Sequence, residues 1–134
     1  MRKSLIGCGL ALLLAALPAR AQESPPVYQL RVYELNEASK PVFHARFRDH
    51  AMRIMRRHGF DIVAIWEATR DGRPEFVYLL RWPDEAALKK SWEAFRADPE
   101  WAAIKQATVS PDAPIMGGIQ DRTMQLTDYS PAFR

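Results

Sequence analysis

Residues 43–66 read FHARFRDHAMRIMRRHGFDIVAIW, and this stretch decides the fold. Large apolar residues, an alanine and a histidine recur in it every three or four positions, which places them along one side of a helix: Phe43, Phe47, Ala51, Ile54 and His58. Gly59 ends that helix. The β-branched and aromatic residues over 60–66 then predict a strand, so the stretch is a helix that leads directly into a strand.

The first 21 residues have the pattern of a signal peptide. Basic residues precede an apolar run over 5–17, and Ala19 and Ala21 occupy the small-residue positions of a cleavage site. The run is shorter than the roughly 20 residues that cross a bilayer, so we expect cleavage after Ala21 and no membrane association of the mature protein. The predicted organisation, for a periplasmic or secreted protein, is a signal peptide (1–21), a mobile lead-in (22–26) and one domain (27–134).

Loss of this leader changes the charge and the cysteine content. The chain has 19 basic and 16 acidic residues, and three of the basic ones (Arg2, Lys3 and Arg20) lie in the leader, so the mature chain is about neutral. A neutral domain lacks the positive surface that nucleic acids and anionic membranes require, so we expect neither as a partner. The only cysteine, Cys8, leaves as well, which excludes a disulfide and a cysteine nucleophile from the mature domain.

The remaining segments complete the order β-α-β-β-α-β. Alternating apolar residues and turn signals predict strands at 27–35, 60–69, 75–82 and 115–126, and helices at 40–58, 85–97 and 100–106. Asp71-Gly72 is the hairpin turn between the second and third strands. The order predicts an α+β, ferredoxin-like fold with an antiparallel four-stranded sheet and the helices on one face.

The central hairpin is apolar on both of its faces. In the strand over 60–69, Val63 and Ile65 lie opposite a face that carries Phe60, Ile62, Ala64 and Trp66. Helices on one side of the sheet leave the other side bare, and a bare apolar face of that size is unusual for a soluble monomer. We therefore expect a homodimer in which two sheets pack face to face around a shared space.

Short motifs along the chain resemble the NIPSNAP-domain proteins of bacteria: YQLRVY at 28–33, RHGF at 57–60, VYLLRWPD at 77–84, FRADPEW at 95–101 and TDYSP at 127–131. The resemblance extends over nearly the whole mature chain and implies the dimeric α+β barrel fold, which the strand pattern predicts independently. The family as a whole has no agreed activity. Relatives with the same fold range from cofactor-free monooxygenases to haem-degrading and haem-binding proteins. The predicted export signal distinguishes this chain from the cytoplasmic and organellar members of the family.

Polar and aromatic side chains on the strands are the candidates for ligand contacts. Gln29, Arg31 and Tyr33 share one face of the first strand. We expect that face to line the dimer space, together with hairpin residues that depend on the register: Trp66 or Ile65, and Arg81 or Trp82. An arginine, a tyrosine and tryptophans around an apolar space suit an aromatic or anionic small molecule. The alternative is that they fill the interface and that Arg31 pairs with an acidic neighbour.

The three histidines all lie on the first helix. His50, at the edge of the buried stripe, is the candidate catalytic base, although an imidazole there can equally be a core or interface residue. His58 can bond the last carbonyls of the helix. His44 lies about 240° around the helix axis from His50, so this helix alone cannot build a metal site. We expect no metal and no cofactor.

The other side of this helix is highly charged. We expect a solvated face, with an anion-binding site as the alternative, for Arg46, Arg48, Asp49, Arg53, Arg56 and Arg57.

Two functions of different class are compatible with these residues. The simpler is a binding or interaction module whose dimer space holds a small apolar or aromatic ligand against Arg31, Tyr33, Trp66 and Trp82. The alternative is a cofactor-independent oxygenase in which His50 is the base. The two differ in whether an open cavity joins His50 to Arg31 and Tyr33. The sequence has no serine elbow and no glycine-rich phosphate loop that would indicate another reaction.

Overall fold

The computed structural model describes residues 24–109 and 114–131. The predicted signal peptide, its cleavage site after Ala21 and Cys8 lie outside the described residues. The elements, in chain order, are β1 (Val27–Glu34), α1 (Lys40–Arg46), a π-helical turn (Phe47–Ala51), α2 (Met52–Arg57), β2 (Asp61–Arg70), β3 (Arg73–Trp82), α3 (Glu85–Arg96), α4 (Pro99–Ala107) and β4 (Ile119–Gln125). None of the helices in the described ranges is both long enough and apolar enough to cross a bilayer.

The four strands form one antiparallel sheet in the order β2-β3-β1-β4. Asp71 and Gly72 join β2 to β3, and both have the positive φ angles (52° and 75°) that a two-residue hairpin turn requires. Aromatic side chains of the helices pack on the sheet face that carries Phe76, Tyr78 and Trp82. The predicted α+β, ferredoxin-like protomer is therefore confirmed, and its last strand begins at Ile119 rather than at 115.

The helical segments α1 and α2 form one continuous rod through the π-helical turn. In an α-helix, a step of four residues rotates the side chain by about 40°. A π-helical turn has more residues per turn and reduces that drift. Phe43, Phe47, Ala51 and Met55 therefore remain on one side of the rod, and all four are buried against the sheet.

Strand β2 contains a bulge that the sequence pattern does not predict. Its register with β3 shifts between Ile62 and Ala64, so the side chains before and after that point alternate in opposite phase. Ile62 packs against the core under the helices, whereas Trp66 pairs with Val77 on the other face of the sheet. The prediction that Ile62 and Trp66 share a face was wrong, because one extra residue reverses the alternation.

An aromatic core fixes the helical rod on the sheet. The ring of Phe76 lies 6.4, 4.9 and 4.6 Å from the rings of Tyr33, Phe43 and Phe47, measured between centroids. Tilted and edge-to-face ring pairs at these separations are favourable beyond the area that they bury. These contacts set the distance between α1 and the sheet.

Asp98 fixes the start of α4 and ties it to the end of α2. Its Oδ1 accepts hydrogen bonds from the backbone N–H groups of Glu100 and Trp101, at 2.9 and 3.1 Å. Its Oδ2 accepts hydrogen bonds from His58 Nε2 and Arg57 Nη2, at 2.6 and 2.7 Å. The bonds from His58 and Arg57 hold the pKa of Asp98 well below its usual range. This junction determines where α4 places Trp101.

The Asp98 junction predicts a pH-dependent stability. A carboxyl whose pKa is depressed by folding stabilises the fold above its ordinary value, here 3.8, and loses that contribution as the pH falls below it. Asp98→Asn keeps an N-cap acceptor and removes the charge. We expect its melting temperature to lie below that of the unchanged protein at pH 7, and the gap to narrow steadily as the pH falls from about 5 to about 2.

Thermal melts followed by circular dichroism across this pH range measure the gap. Asp71→Asn, in the exposed hairpin turn, is the matched control and should melt with the unchanged protein at every pH. A gap for Asp98→Asn that stays constant with pH would contradict the ion-pair explanation.

Candidate functional site

A cavity of about 330 Å³ lies between the sheet and the helices of one chain. Seven of the fifteen described residues that line it are aromatic, and they come from the sheet (Tyr33, Tyr78), the helical rod (Phe43, Phe47), and α3 and α4 (Trp92, Phe95 and Trp101). Arg96, Lys105 and Ile119 also line it and are exposed, so they mark the side on which the cavity meets solvent. The space has the size and lining of a small-molecule site.

Arg31 forms the polar part of the cavity floor and is only 8% exposed. Its Nη1 donates to Asp121 Oδ2 at 2.5 Å and its Nη2 to Tyr33 Oη at 2.9 Å, while its guanidinium lies 4.6 Å from the centroid of the Trp92 ring. Nε has no hydrogen-bond partner among the described residues. Burial would lower the pKa of Arg31, but Tyr33, Tyr78 and Asp121 outweigh it and raise the pKa, so the group stays charged.

Gln29 connects this ion pair to the core. Its Nε2 donates to both carboxylate oxygens of Asp121, at 2.9 and 3.0 Å. Its Oε1 accepts hydrogen bonds from the indole N–H groups of Trp82 and Trp92, at 3.1 and 2.8 Å. The buried amide thus bonds through both its nitrogen and its oxygen, which offsets the cost of removing it from water.

Two tyrosine hydroxyls extend this polar network along the cavity wall. Tyr33 Oη and Tyr78 Oη are 3.2 Å apart, and the two rings are stacked with their centroids 5.8 Å apart. Burial raises the pKa of Tyr78 well above its ordinary value, and the neighbouring Tyr33 adds to the shift. Tyr78 therefore keeps its proton at neutral pH and can act as a hydrogen-bond donor.

Three more cations line the cavity: Arg46, Arg96 and Lys105. Arg46 is 7% exposed, donates to Thr108 Oγ1 at 3.3 Å, and lies 5.5 Å from the centroid of the Trp101 ring. Burial lowers its pKa. Within the described part of the chain, no carboxylate lies within ion-pair distance of these three cations.

The residues predicted from the first strand lie together, but on the other face from the one expected. Arg31 and Tyr33 line the cavity, and Gln29 donates a hydrogen bond to Asp121, the ion-pair partner of Arg31. We predicted that these side chains face a space between two copies, and this was wrong because they face the helices of their own chain. The alternative pairing of Arg31 with an acidic neighbour is what the structure has, with Asp121 as the partner.

The residues predicted from the central hairpin are not part of this cavity. Trp82 is fully buried and its indole is bonded to Gln29. Trp66, which is 48% exposed, and Arg81 lie on the opposite face of the sheet, where Arg81 pairs with Asp61 at 2.7 Å. The predicted set of ligand contacts is therefore divided between the two faces of the sheet.

None of the three histidines lines the cavity. His50 is partly exposed, and it is not among the described residues that line the cavity of Arg31 and Tyr33. The side chain of His58 bonds Asp98, and His44 Nε2 lies 3.5 Å from a carboxylate oxygen of Glu67. Over residues 24–109 and 114–131, no group of three or more His, Cys, Asp and Glu side chains is arranged to hold a metal ion.

Arg46 is a cavity residue for which the prediction from sequence was wrong. We placed it on the solvated face of the helix, but it is buried beside Phe43 and lines the cavity. Its position three residues after Phe43 was the available signal, because residues at that spacing share a helix side. Trp101 and Lys105 come from α4, and only tertiary packing brings them to the same wall.

Comparison with known proteins agrees with this architecture. The family model described as NIPSNAP matches residues 28–131. A NIPSNAP-like domain protein from Burkholderia xenovorans has a TM-score of 0.68 at 16% identity, over 81% of this chain and 91% of that chain. A NIPSNAP family protein from Agrobacterium tumefaciens has a TM-score of 0.67 at 18% identity, over 80% of this chain and 93% of that chain.

A more distant structure belongs to a protein with a described activity. A mutant form of SnoaB, a cofactor-independent oxygenase from Streptomyces nogalater, has a TM-score of 0.51 at 14% identity, over 81% of this chain and 100% of that chain. At these identities the likeness shows a shared fold alone. No curated protein matches the sequence.

The network beneath the cavity predicts a large effect of Gln29→Leu on stability. The change leaves the indole N–H groups of Trp82 and Trp92 buried without an acceptor, at a cost of roughly 2–4 kcal/mol in the free energy of unfolding. Urea unfolding followed by tryptophan fluorescence measures it. Gln125→Leu, at the exposed end of β4, is the control and should change that free energy by less than about 0.5 kcal/mol. Equal effects of the two changes would contradict the network.

Proposed function

The chain belongs to the NIPSNAP family, whose model covers residues 28–131, and we propose that it is a binding module for small aromatic molecules. The observation that carries the proposal is the aromatic cavity between the helices and the sheet, with a volume of about 330 Å³. Arg31, Tyr33 and Tyr78 supply polar contacts on one wall of it. An apolar pocket with a few convergent polar groups is the usual form of a small-molecule site.

The cofactor-independent oxygenase is the weaker proposal because the described lining of the cavity offers no base. Among the described residues that line it, none carries a carboxylate or an imidazole, and His50 lies elsewhere. Tyr78 does not supply the missing base, since burial raises its pKa. A base must reach the proton that it removes, directly or through one water, so the chemistry of this lining favours binding over proton abstraction.

A neutral aromatic dye tests the binding function. We expect N-phenyl-1-naphthylamine, whose fluorescence rises in apolar surroundings, to bind one site per chain. Ala51→Phe places a ring in the cavity and should weaken this binding by about tenfold or more. Fluorescence titration measures the dissociation constant. Val42→Phe, on the exposed side of α1, is the matched control and should leave it unchanged.

If Ala51→Phe melts cooperatively and still binds the dye as tightly as the unchanged protein, the cavity is not the site.

We also propose that two copies pack through the sheet face that the helices leave uncovered. Apolar side chains lie on that face in all four strands, among them Val32, Trp66, Val77 and Met124. Trp66 is 48% exposed and Met124 38% exposed, and none of the described helices covers them. A two-fold dimer would remove this surface from water with the same patch on both copies.

Sedimentation velocity tests the dimer. We expect the mature protein to sediment at twice the chain mass at micromolar concentration, and Trp66→Lys to shift it toward the monomer because a charge would be buried in the interface. Val42→Lys changes an equally exposed residue on the helical side and should leave the dimer intact. A monomeric unchanged protein would refute the proposal.

We propose the compartment that the predicted leader indicates, the periplasm or the outside of the cell.

A further inference from the structure

The described residues that line the cavity carry more positive than negative charge. Four cations line it, and only Arg31 has a carboxylate partner within the part of the chain that the structure describes. The three other cations that line the cavity are Arg46, Arg96 and Lys105. Together they produce a positive electrostatic potential in a site with aromatic walls. Low-dielectric walls strengthen such a field, which attracts an anion.

Arg46 is the cation whose burial is least compensated. Arg31, buried to a similar extent, has Asp121, Tyr33 and the ring of Trp92 around its guanidinium. Arg46 also lies near two rings, those of Phe43 and Trp101, but its one hydrogen-bond acceptor among the described residues is the neutral hydroxyl of Thr108. Burial accordingly lowers the pKa of Arg46, whereas the pKa of Arg31 is raised. A buried charge without a counterion is costly, and a bound anion would remove that cost.

The surroundings of Arg46 also suit an aromatic body next to the anion. The Arg46 guanidinium lies 5.5 Å from the ring of Trp101, and that ring is stacked on Phe95 with centroids 5.0 Å apart. Phe43 lies on the other helix wall, 5.8 Å from the same guanidinium. Planar rings pack well against such aromatic walls, and a guanidinium can bond both oxygens of one acidic group.

We infer that the ligand is an aromatic anion, a planar apolar body with one acidic group such as a carboxylate or sulfonate, and that Arg46 binds the acidic group. Arg96 and Lys105, both exposed, attract the anion to the opening of the cavity. This inference rests on the proposed binding function and names the chemical class of its ligand.

Two dyes that share the same aromatic body test the inference. 8-Anilinonaphthalene-1-sulfonate carries the acidic group, and N-phenyl-1-naphthylamine lacks it. We expect the unchanged protein to bind the sulfonate about tenfold or more tightly than the neutral dye. Arg46→Met should abolish most of that preference and leave the dissociation constant of the neutral dye within about twofold. Arg46→Lys, which keeps the charge, should retain part of the preference.

Matched variants separate the possible results. Arg48→Met removes an exposed arginine of the same helical rod, one that is paired with Asp49, and should keep the full preference for the sulfonate. The fall in each dye's fluorescence in Ala51→Phe measures the share of that fluorescence that comes from dye bound in the cavity. Equal affinities for the two dyes, or a preference that survives Arg46→Met, would overturn the inference and leave the binding function standing. If Ala51→Phe changes neither titration, both proposals fail.

Discussion

The polar side of β1 is the constraint on which this structure depends. Gln29 and Arg31 lie on the strand face that the helices cover, where a polar group without a partner is costly. Their partners come from distant elements: two tryptophan indoles on β3 and α3, and the Asp121 carboxylate on β4. The positions of α3 and β4 relative to β1 therefore follow from satisfying two buried side chains, as well as from apolar packing.

This constraint also explains why the space above β1 remains open. A guanidinium that must stay bonded to Asp121 and Tyr33 cannot move aside for an apolar side chain from the helices. The π-helical turn keeps Phe47 and Ala51 on the same side of the rod, so a ring and a small methyl group form the opposite wall. The result is a cavity with a fixed polar floor and aromatic sides, a combination that suits recognition more than core packing.

Much of the protomer fold could be predicted from local patterns. The apolar stripe from Phe43 to Ile54, the Asp71-Gly72 turn and the alternation of β3 each depend on neighbours in sequence, and all three are present in the structure. The site was harder to predict from the sequence, because a polar strand face normally points to solvent. Nothing local to Arg31 shows that a carboxylate 90 residues away will neutralise it. The bulge after Ile62 likewise reversed the faces of β2 without a sequence signal.

The separation in sequence between Arg31 and Asp121 affects the order in which the chain folds. The β2–β3 hairpin closes over two residues, so it can form as soon as its own segment is available. β1 pairs with β4, at the other end of the domain, and contacts so far apart in sequence form slowly because a long loop must close first. Asp121 lies on β4, so the counterion of Arg31 and the floor of the cavity are complete only when the last strand has paired with the first.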